Sequence, residues 1–278
     1  MNWNQPDNPL LTEEGIVRLI CTSSLPVQFW SDCALSFVPG PSRLRRMHAK
    51  HIGIVACSAP GAALCYSTIC AEAPRVMGGY RNPEISLHMM DFDEHVRCIE
   101  RDDWDEVANL ILQSVTKLAA AGASFVICPD NTVHIAMNKI ERRSPLPWLH
   151  IADVVADSAE SQGYRRLGLL GTRYLVESSV YPERLASRGI ECQLPTPTDR
   201  DVVHRIIFDE LVFDRVTSDG QAQFLRIIEE FKAVHQCDAV ILGCTEIPLA
   251  VTPGASPLPT LDSTRLLARA ALKVANQL

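Results

Sequence analysis

The run Ala239-Val240-Ile241-Leu242-Gly243-Cys244-Thr245-Glu246-Ile247-Pro248-Leu249 limits the possible folds more than any other stretch of the chain. Four consecutive apolar residues with no alternation describe a strand buried on both faces, the habit of parallel sheets covered by helices. Cys-Thr-Glu follows, and Pro248 suits a first helical turn, so a thiol stands at the carboxyl end of the strand, where open α/β sheets bind ligands. A thiol at a helix start has its thiolate favoured by the backbone N–H groups, which predicts a lowered pKa for Cys244. The plainer alternative is a small buried cysteine with an inert sulfur.

A second stretch copies the first. Ala123-Ser124-Phe125-Val126-Ile127-Cys128-Pro129-Asp130-Asn131-Thr132 follows a helical pattern, rises as an apolar strand and ends in polar residues before Val133-His134 opens another helix. Laid over the later run, Asp130 falls on Cys244, Pro129 on Gly243, and Asn131 or Thr132 near Thr245. Two copies of one helix–strand–turn unit predict two similar halves facing each other across a cleft. That arrangement suits chemistry on opposite faces of one small molecule. Asp130 has a structural alternative as the N-cap of the helix that follows it.

The rest of the chain narrows the class. With 33 acidic against 26 basic residues and a net charge of −7, it offers no basic surface for nucleic acid. No apolar run approaches the roughly 18 residues of a membrane span, and Met1-Asn2-Trp3-Asn4-Gln5-Pro6-Asp7 lacks the order of a secretory signal, so a cytoplasmic location is expected. The ten cysteines are scattered without a Cys-x-x-Cys pair, which favours reduced thiols. His48 with His51 and His88 with His95 lie close in sequence but lack a matching cysteine or carboxylate pattern. Neither a metal nor a cofactor is expected.

Residues 1–50 read as an N-terminal extension, poor in order, with many prolines, the basic run Arg43-Leu44-Arg45-Arg46, a short helix from Leu11 to Ile20 and a natural translation start at Met47. A first α/β domain spans 51–147. It opens with the strand Ile52 to Cys57, the small-residue turn Ser58-Ala59-Pro60-Gly61 and a helix from Ala62 to about Glu72. That turn lets a ligand approach the backbone and the helix start can receive a carboxylate, which brings in Ser58. Neither Gly-x-Gly-x-x-Gly nor a lysine-bearing phosphate loop is present. A strand from Glu84 to Met90, a helix from Asp103 to Ala121, the strand into Asp130 and a helix to about Arg142 follow. The Pro-rich segment Ser144-Pro145-Leu146-Pro147 marks the boundary.

A second α/β domain spans 148–254. Its expected elements are a helix over Ala152–Gln162, a strand over Leu167–Leu170, the turn Gly171-Thr172-Arg173, a helix ending near Gly189 and a strand over Ile190–Gln193. Helices over Arg200–Val212 and Ser218–His235 lead to the Cys244 unit. The segment 255–278 adds a strand over Leu258–Leu261 and a helix over Ser263–Asn276 that packs back on the first domain. Alternating strands and helices imply parallel sheets with right-handed crossovers.

These stretches resemble the aspartate/glutamate racemase family, the pyridoxal-independent racemases. Gly243-Cys244-Thr245-Glu246-Ile247-Pro248-Leu249 looks like the family's second-cysteine motif and Asn131-Thr132-Val133-His134 like the end of its first. Gly168-Leu169-Leu170-Gly171-Thr172, Tyr181 and Ile206-Ile207-Phe208-Asp209-Glu210-Leu211 match in the right order. The resemblance covers about His51 to the C-terminus. It implies two Rossmann-like parallel-sheet domains related by pseudo-twofold symmetry, often in a homodimer, with the active site in the cleft between them. It also implies a cofactor-independent reaction in which one thiol removes the α-proton of an amino acid and another returns a proton to the opposite face. The chain departs from this pattern at Asp130, where the family normally has cysteine, and Leu175 replaces a common threonine. Leu87-His88-Met89-Met90-Asp91-Phe92 with Asp103-Trp104 is closer to the broad-specificity branch, whose members can carry a non-cysteine at the first site.

The leading expectation is an amino-acid racemase or epimerase. Cys244 and Asp130 are its catalytic pair, and Asn131, Thr132, Thr245, Ser58 and Thr172 bind the substrate. Cys128 lies two strand residues before Asp130, pointing the same way but about 6–7 Å deeper, and so is an auxiliary rather than a replacement. His134 and Glu246 are candidates to tune the pair, and Arg97 and Arg200 to meet a substrate carboxylate. A second expectation is a single-cysteine decarboxylase resembling the arylmalonate decarboxylases, or another one-face lyase or isomerase. A third is a non-catalytic homologue that only binds an amino acid.

Overall fold

Seven short strands, all paired in parallel, form two sheets among residues 49–277, the part of the chain that the computed structural model describes. The reading of residues 1–50 as an extension, with its helix from Leu11 and a start at Met47, lies outside the described residues apart from Ala49 and Lys50. In chain order the first sheet draws on β1 (Ile52–Ala56), α1 (Ala59–Met77), β2 (Ile85–Met89), α2 (Phe92–Glu100), α3 (Trp104–Ala120) and β3 (Phe125–Ile127). Its strand order is β2-β1-β3, with Ile52 opposite both Ile85 and Phe125. A 3₁₀ turn (Thr132–Ala136), α4 (Met137–Glu141) and one parallel bridge from Val126 to Trp148 close the half.

The second sheet follows from α5 (Ile151–Ser161), β4 (Arg166–Leu170), α6 (Arg173–Val176), α7 (Val180–Ala186), β5 (Glu191–Gln193) and α8 (Pro197–Asp209). A 3₁₀ turn (Leu211–Phe213) leads to α9 (Ser218–Ala233), β6 (Ala239–Leu242), α10 (Ile247–Ala250), β7 (Thr260–Asp262) and α11 (Ser263–Asn276). Its order is β5-β4-β6-β7. The arrangement repeats the first: β4 stands for β1, β5 for β2, β6 for β3, and β7 for the bridge at Trp148.

Strand residues alternate between two helical layers, as a sheet covered on both sides requires. On one side of the first sheet, Val55 and Val126 pack with Val107, Ile111 and Val115 of α3. On the other, Ile52, Ile54, Phe125 and Ile127 meet Cys65 and Ile69 of α1 together with Leu267, Ala271 and Leu272 of α11. In the second sheet, Val240 and Leu242 meet α8 and α9, while Leu167, Leu169 and Ile241 meet Val155 and Ala159 of α5 and Leu185 of α7. The two helices therefore change places. α5 follows the first sheet in sequence and covers the second; α11 follows the second and covers the first.

Several elements differ from the sequence expectation, each for a local reason. α2 was not expected. Asp91 starts it by accepting hydrogen bonds from the Asp93 and Glu94 N–H groups, the cap that a nine-residue helix needs to begin. The single helix expected to end near Gly189 is broken into α6 and α7, because the Ser178 hydroxyl bonds the Leu175 carbonyl and accepts from the Val180 N–H. α8 begins three residues before Arg200, where Thr196 caps the Asp199 N–H and Pro197 occupies the first turn. No helix among the described residues is long and apolar enough to cross a membrane.

Candidate active site

The turns that leave β3 and β6 open into one cavity. The first turn contributes Asp130, Asn131 and Thr132, the second Gly243, Cys244, Thr245 and Glu246; Ser58 comes from the end of β1 and Thr172 from the end of β4. All four contributing strands point their carboxyl ends at this space, as ligand sites in parallel sheets do.

The polar groups are tied to one another before any ligand arrives. Cys244 Sγ donates to Glu246 Oε2 at 2.9 Å, the Thr245 hydroxyl donates to the same oxygen at 2.8 Å, and the Ser58 hydroxyl donates to Oε1. Glu246 thus joins the β1 turn of one sheet to the β6 turn of the other. Thr132 and Thr172 make the matching link, hydroxyl to hydroxyl at 3.0 Å, and Thr172 also caps α6 by accepting from the Leu175 N–H. The Asn131 amide is held at both ends: it donates to Ser263 Oγ at 3.0 Å and its oxygen accepts from the Tyr181 hydroxyl at 2.7 Å. Asn131 therefore positions the turn, although it lines the cavity. The N–H groups of Asn131, Thr132 and Thr245 donate to no backbone carbonyl among the described residues, three donors that an incoming carboxylate can use.

Close approach of the two halves depends on Gly61. A β-carbon there would stand 2.2 Å from Thr245 Oγ1 and 2.6 Å from its Cβ, so only glycine lets the first turn of α1 rest against the residue next to Cys244.

The electrostatics reverse one expectation. Burial pushes the Cys244 thiol well above its ordinary pKa, and the Glu246 carboxylate beside it acts in the same direction. The lowered value predicted from a helix start does not arise, because α10 has only four residues and a carboxylate stands closer to the sulfur than that helix end. The resting group is a protonated thiol. Asp130 divides its oxygens: Oδ1 accepts from the Val133 N–H at 3.1 Å, capping the turn, while Oδ2 lies 3.9 Å from His95 Nε2. Burial tends to lower the pKa of His95, but the Cys57 sulfur and then Asp130 raise it, to about 9.

Four other candidates lie off the cavity. His134 is buried behind the first turn, where its Nδ1–H donates to the Asp130 carbonyl at 2.8 Å and Nε2 accepts from the Ile151 N–H, so it supports the Asp130 backbone. Burial lowers its pKa to about 4 and keeps it neutral. Cys128 is wholly buried with its sulfur 3.9 Å from that of Cys57. Arg97 projects from the outer side of α2 and pairs with Asp93 at 2.8 Å, the usual i,i+4 arrangement. Arg200 is held by the Pro195 carbonyl and Glu177. Neither arginine reaches the cavity.

Sequence reasoning missed His95 and the apolar wall. Phe92, His95, Val96 and Ile99 fall at i, i+3, i+4 and i+7 of α2 and present one stripe to the cavity; Ile207, Phe208 and Val212 face them from α8 and the turn after it. Asp91 followed by this stripe was the available signal. Among the described residues lining the cavity there is no lysine or arginine.

Comparison with known proteins places the fold and the sequence in one family. A sequence profile of the Asp/Glu/Hydantoin racemase family matches residues 53–271. The broad specificity amino-acid racemase RacX of Bacillus subtilis is 23% identical over 175 residues, 60% of this chain and 71% of that protein. Among solved structures, a candidate Asp/Glu racemase from Yersinia pestis is 34% identical with a TM-score of 0.74, covering 82% of this chain and all of its own. An aspartate racemase homologue from Pyrococcus horikoshii, 27% identical, has a TM-score of 0.71 with the same coverage.

Proposed function

Because the chain belongs to the Asp/Glu/Hydantoin racemase family, we propose that it racemises or epimerises amino acids with apolar side chains, exchanging the α-proton between Cys244 and Asp130. The observation that carries this reading is that the thiol and the carboxylate line one cavity from the corresponding turns of two different sheets. In one direction the Asp130 carboxylate takes the α-proton and the Cys244 thiol delivers its own to the opposite face; in the other the roles exchange. A thiol of raised pKa is a ready donor toward a planar carbanion, and its thiolate, once formed, is a strong base toward a weakly acidic C–H bond. The free N–H groups of the two turns and the Thr132 and Thr172 hydroxyls take the α-carboxylate, whose charge grows as the carbanion forms. His95 is a positioning residue that stands behind the Asp130 carboxylate, Nε2 3.9 Å from Oδ2, and steadies its charge.

The apolar stripe supports the substrate class. A side chain of the aspartate or glutamate type would bring a second carboxylate into a space that already holds Asp130 and Glu246, where His95, beside Asp130, is the only basic group among the described lining residues. RacX, named for broad specificity, is consistent with such a choice.

The test is single enantiomers of an amino-acid panel in heavy water, followed by NMR and optical rotation. The expected result is α-deuteration with loss of rotation for amino acids of the leucine, methionine or phenylalanine type, abolished by Cys244→Ser and by Asp130→Asn, which keeps the cap to Val133. If no amino acid in the panel exchanges its α-proton, the reading fails. The protonated Cys244 also favours a second reading, one-face protonation after decarboxylation, which carbon dioxide release from a malonate panel would reveal.

A further inference from the structure

We propose that Cys57, His95 and Asp130 form a binding site for a divalent transition metal of the zinc class, set in the first-sheet side of the cavity. The three residues are far apart in sequence and come from three elements: the end of β1, the middle of α2 and the turn after β3. One ligand atom from each lies within 4.8 Å of the other two, and His95 Nε2 stands 3.9 Å from Asp130 Oδ2.

An independent observation points to a ligand. The His95 ring is 1% exposed, and neither of its nitrogens has a hydrogen-bond partner among the described residues. A buried imidazole with a carboxylate oxygen 3.9 Å away and a thiol nearby, but no well-formed hydrogen bond to either, is unusual, since buried polar atoms are nearly always satisfied. Here the ring faces a sulfur and a carboxylate, two groups that bond to it through a shared cation.

The donor set selects the ion. One sulfur, one imidazole nitrogen and one carboxylate oxygen suit zinc or cobalt, whereas magnesium and calcium take oxygen donors. Metal–ligand bonds of about 2.0–2.3 Å in a tetrahedron put neighbouring donors roughly 3.4–3.7 Å apart, so atoms within 4.8 Å of one another must close by no more than roughly 1.1–1.4 Å. His95 and Asp130 line the cavity and Cys57 lies behind them, which leaves the fourth position facing the cavity for water or a substrate carboxylate. Coordination breaks the Cys57 S–H bond as the S–metal bond forms, and the proton leaves to solvent. Cys128, with its sulfur 3.9 Å from that of Cys57, is placed to donate its S–H to the bound thiolate.

The site shares Asp130 with the proposed reaction. A bound metal would hold the carboxylate and stop proton exchange, so occupancy switches the enzyme off; this consequence rests on the proposed function, whereas the binding itself does not. Titrating metal-free full-length protein with cobalt should give a near-ultraviolet thiolate charge-transfer band and strong visible bands of a four-coordinate ion, at one cobalt per chain, displaced by zinc. Cys57→Ser should lose the charge-transfer band and weaken binding by about 100-fold or more, and Cys128→Ser should retain the band. X-ray absorption of the zinc-loaded wild-type chain should find one sulfur among nitrogen and oxygen neighbours, which tests the site even if a variant fails to fold. In the exchange assay, zinc should inhibit wild type reversibly and leave Cys57→Ser active. Absence of the band, its survival in Cys57→Ser, or a zinc shell with no sulfur or with two would overturn the site, whatever the fate of the racemase reading.

Discussion

Glu246 accepts from three hydroxyl or thiol donors that come from both halves of the molecule, so its carboxylate is a joint as well as a charge. Glu246→Gln should keep the joint in part and remove the charge, lowering the Cys244 pKa and slowing the direction in which the thiolate acts as base; titrating the thiol by its ultraviolet absorbance checks this. At Gly61, alanine would drive its β-carbon into Thr245. Gly61→Ala should reduce proton exchange by at least about tenfold, which corresponds to roughly 1.4 kcal/mol in the barrier, by shifting the residue beside Cys244. Circular dichroism should show the fold intact; an unaffected rate would mean that the contact relaxes freely. On the apolar wall, Phe208→Arg should move turnover from leucine-like toward glutamate-like substrates by placing a cation opposite α2, as relative kcat/KM over the panel would report. Cys244 and Asp130 were legible because each ends a contiguous apolar run. Cys57, by contrast, reads as one more strand residue, and only the packing of α2 and the β3 turn around the end of β1 brings His95, Cys128 and Asp130 beside it.

The elements explain which parts of the site the sequence concealed. Strands β3 and β6 are short, buried on both faces and bounded by polar turns, so periodicity finds them without help from tertiary contacts. α2 is harder to see, since five of its nine residues are charged or histidine and only its cavity-facing stripe is apolar. The same step along the helix that turns His95 inward turns Arg97 outward, which is why the arginine meets Asp93 instead of a substrate. Between β4 and α9, a β-carbon on Gly168 would reach within 2.4–2.7 Å of the Phe231 ring, so this strand and helix approach as closely as glycine permits. Gly168→Ala should destabilise the chain by about 1–3 kcal/mol through overpacking, measured by urea denaturation. A neutral effect would mean that the ring has room to turn.

At the scale of the whole molecule, two buried histidines at the junction of the first turn and α5 set the response to acid. Burial lowers the pKa of both His134, to about 4, and His150, and their rings pack edge to face with centroids 4.4 Å apart. An unfolded histidine titrates near 6.5, so below that pH the unfolded chain binds protons that these residues cannot, and stability falls. Each contributes a loss of up to about 1.4 kcal/mol per pH unit, beginning at about 6.5 and, for His134, ending near 4. His95, raised to about 9, acts in the opposite sense and above this window. The urea midpoint should therefore drop between pH 6.5 and 5, and less steeply in His150→Asn, which keeps an acceptor for the Ala152 N–H; a flat profile would contradict the assignment. The exchange of α5 and α11 between the sheets has a consequence for the chain's architecture. Cutting the polypeptide just after α5 leaves each fragment carrying a helix meant for the other and a bare flank where its own cover should be. A fragment of that length could regain a complete core by trading terminal arms with a second copy, and a tandem fusion of such a mutually clasped pair has the connectivity that this chain displays.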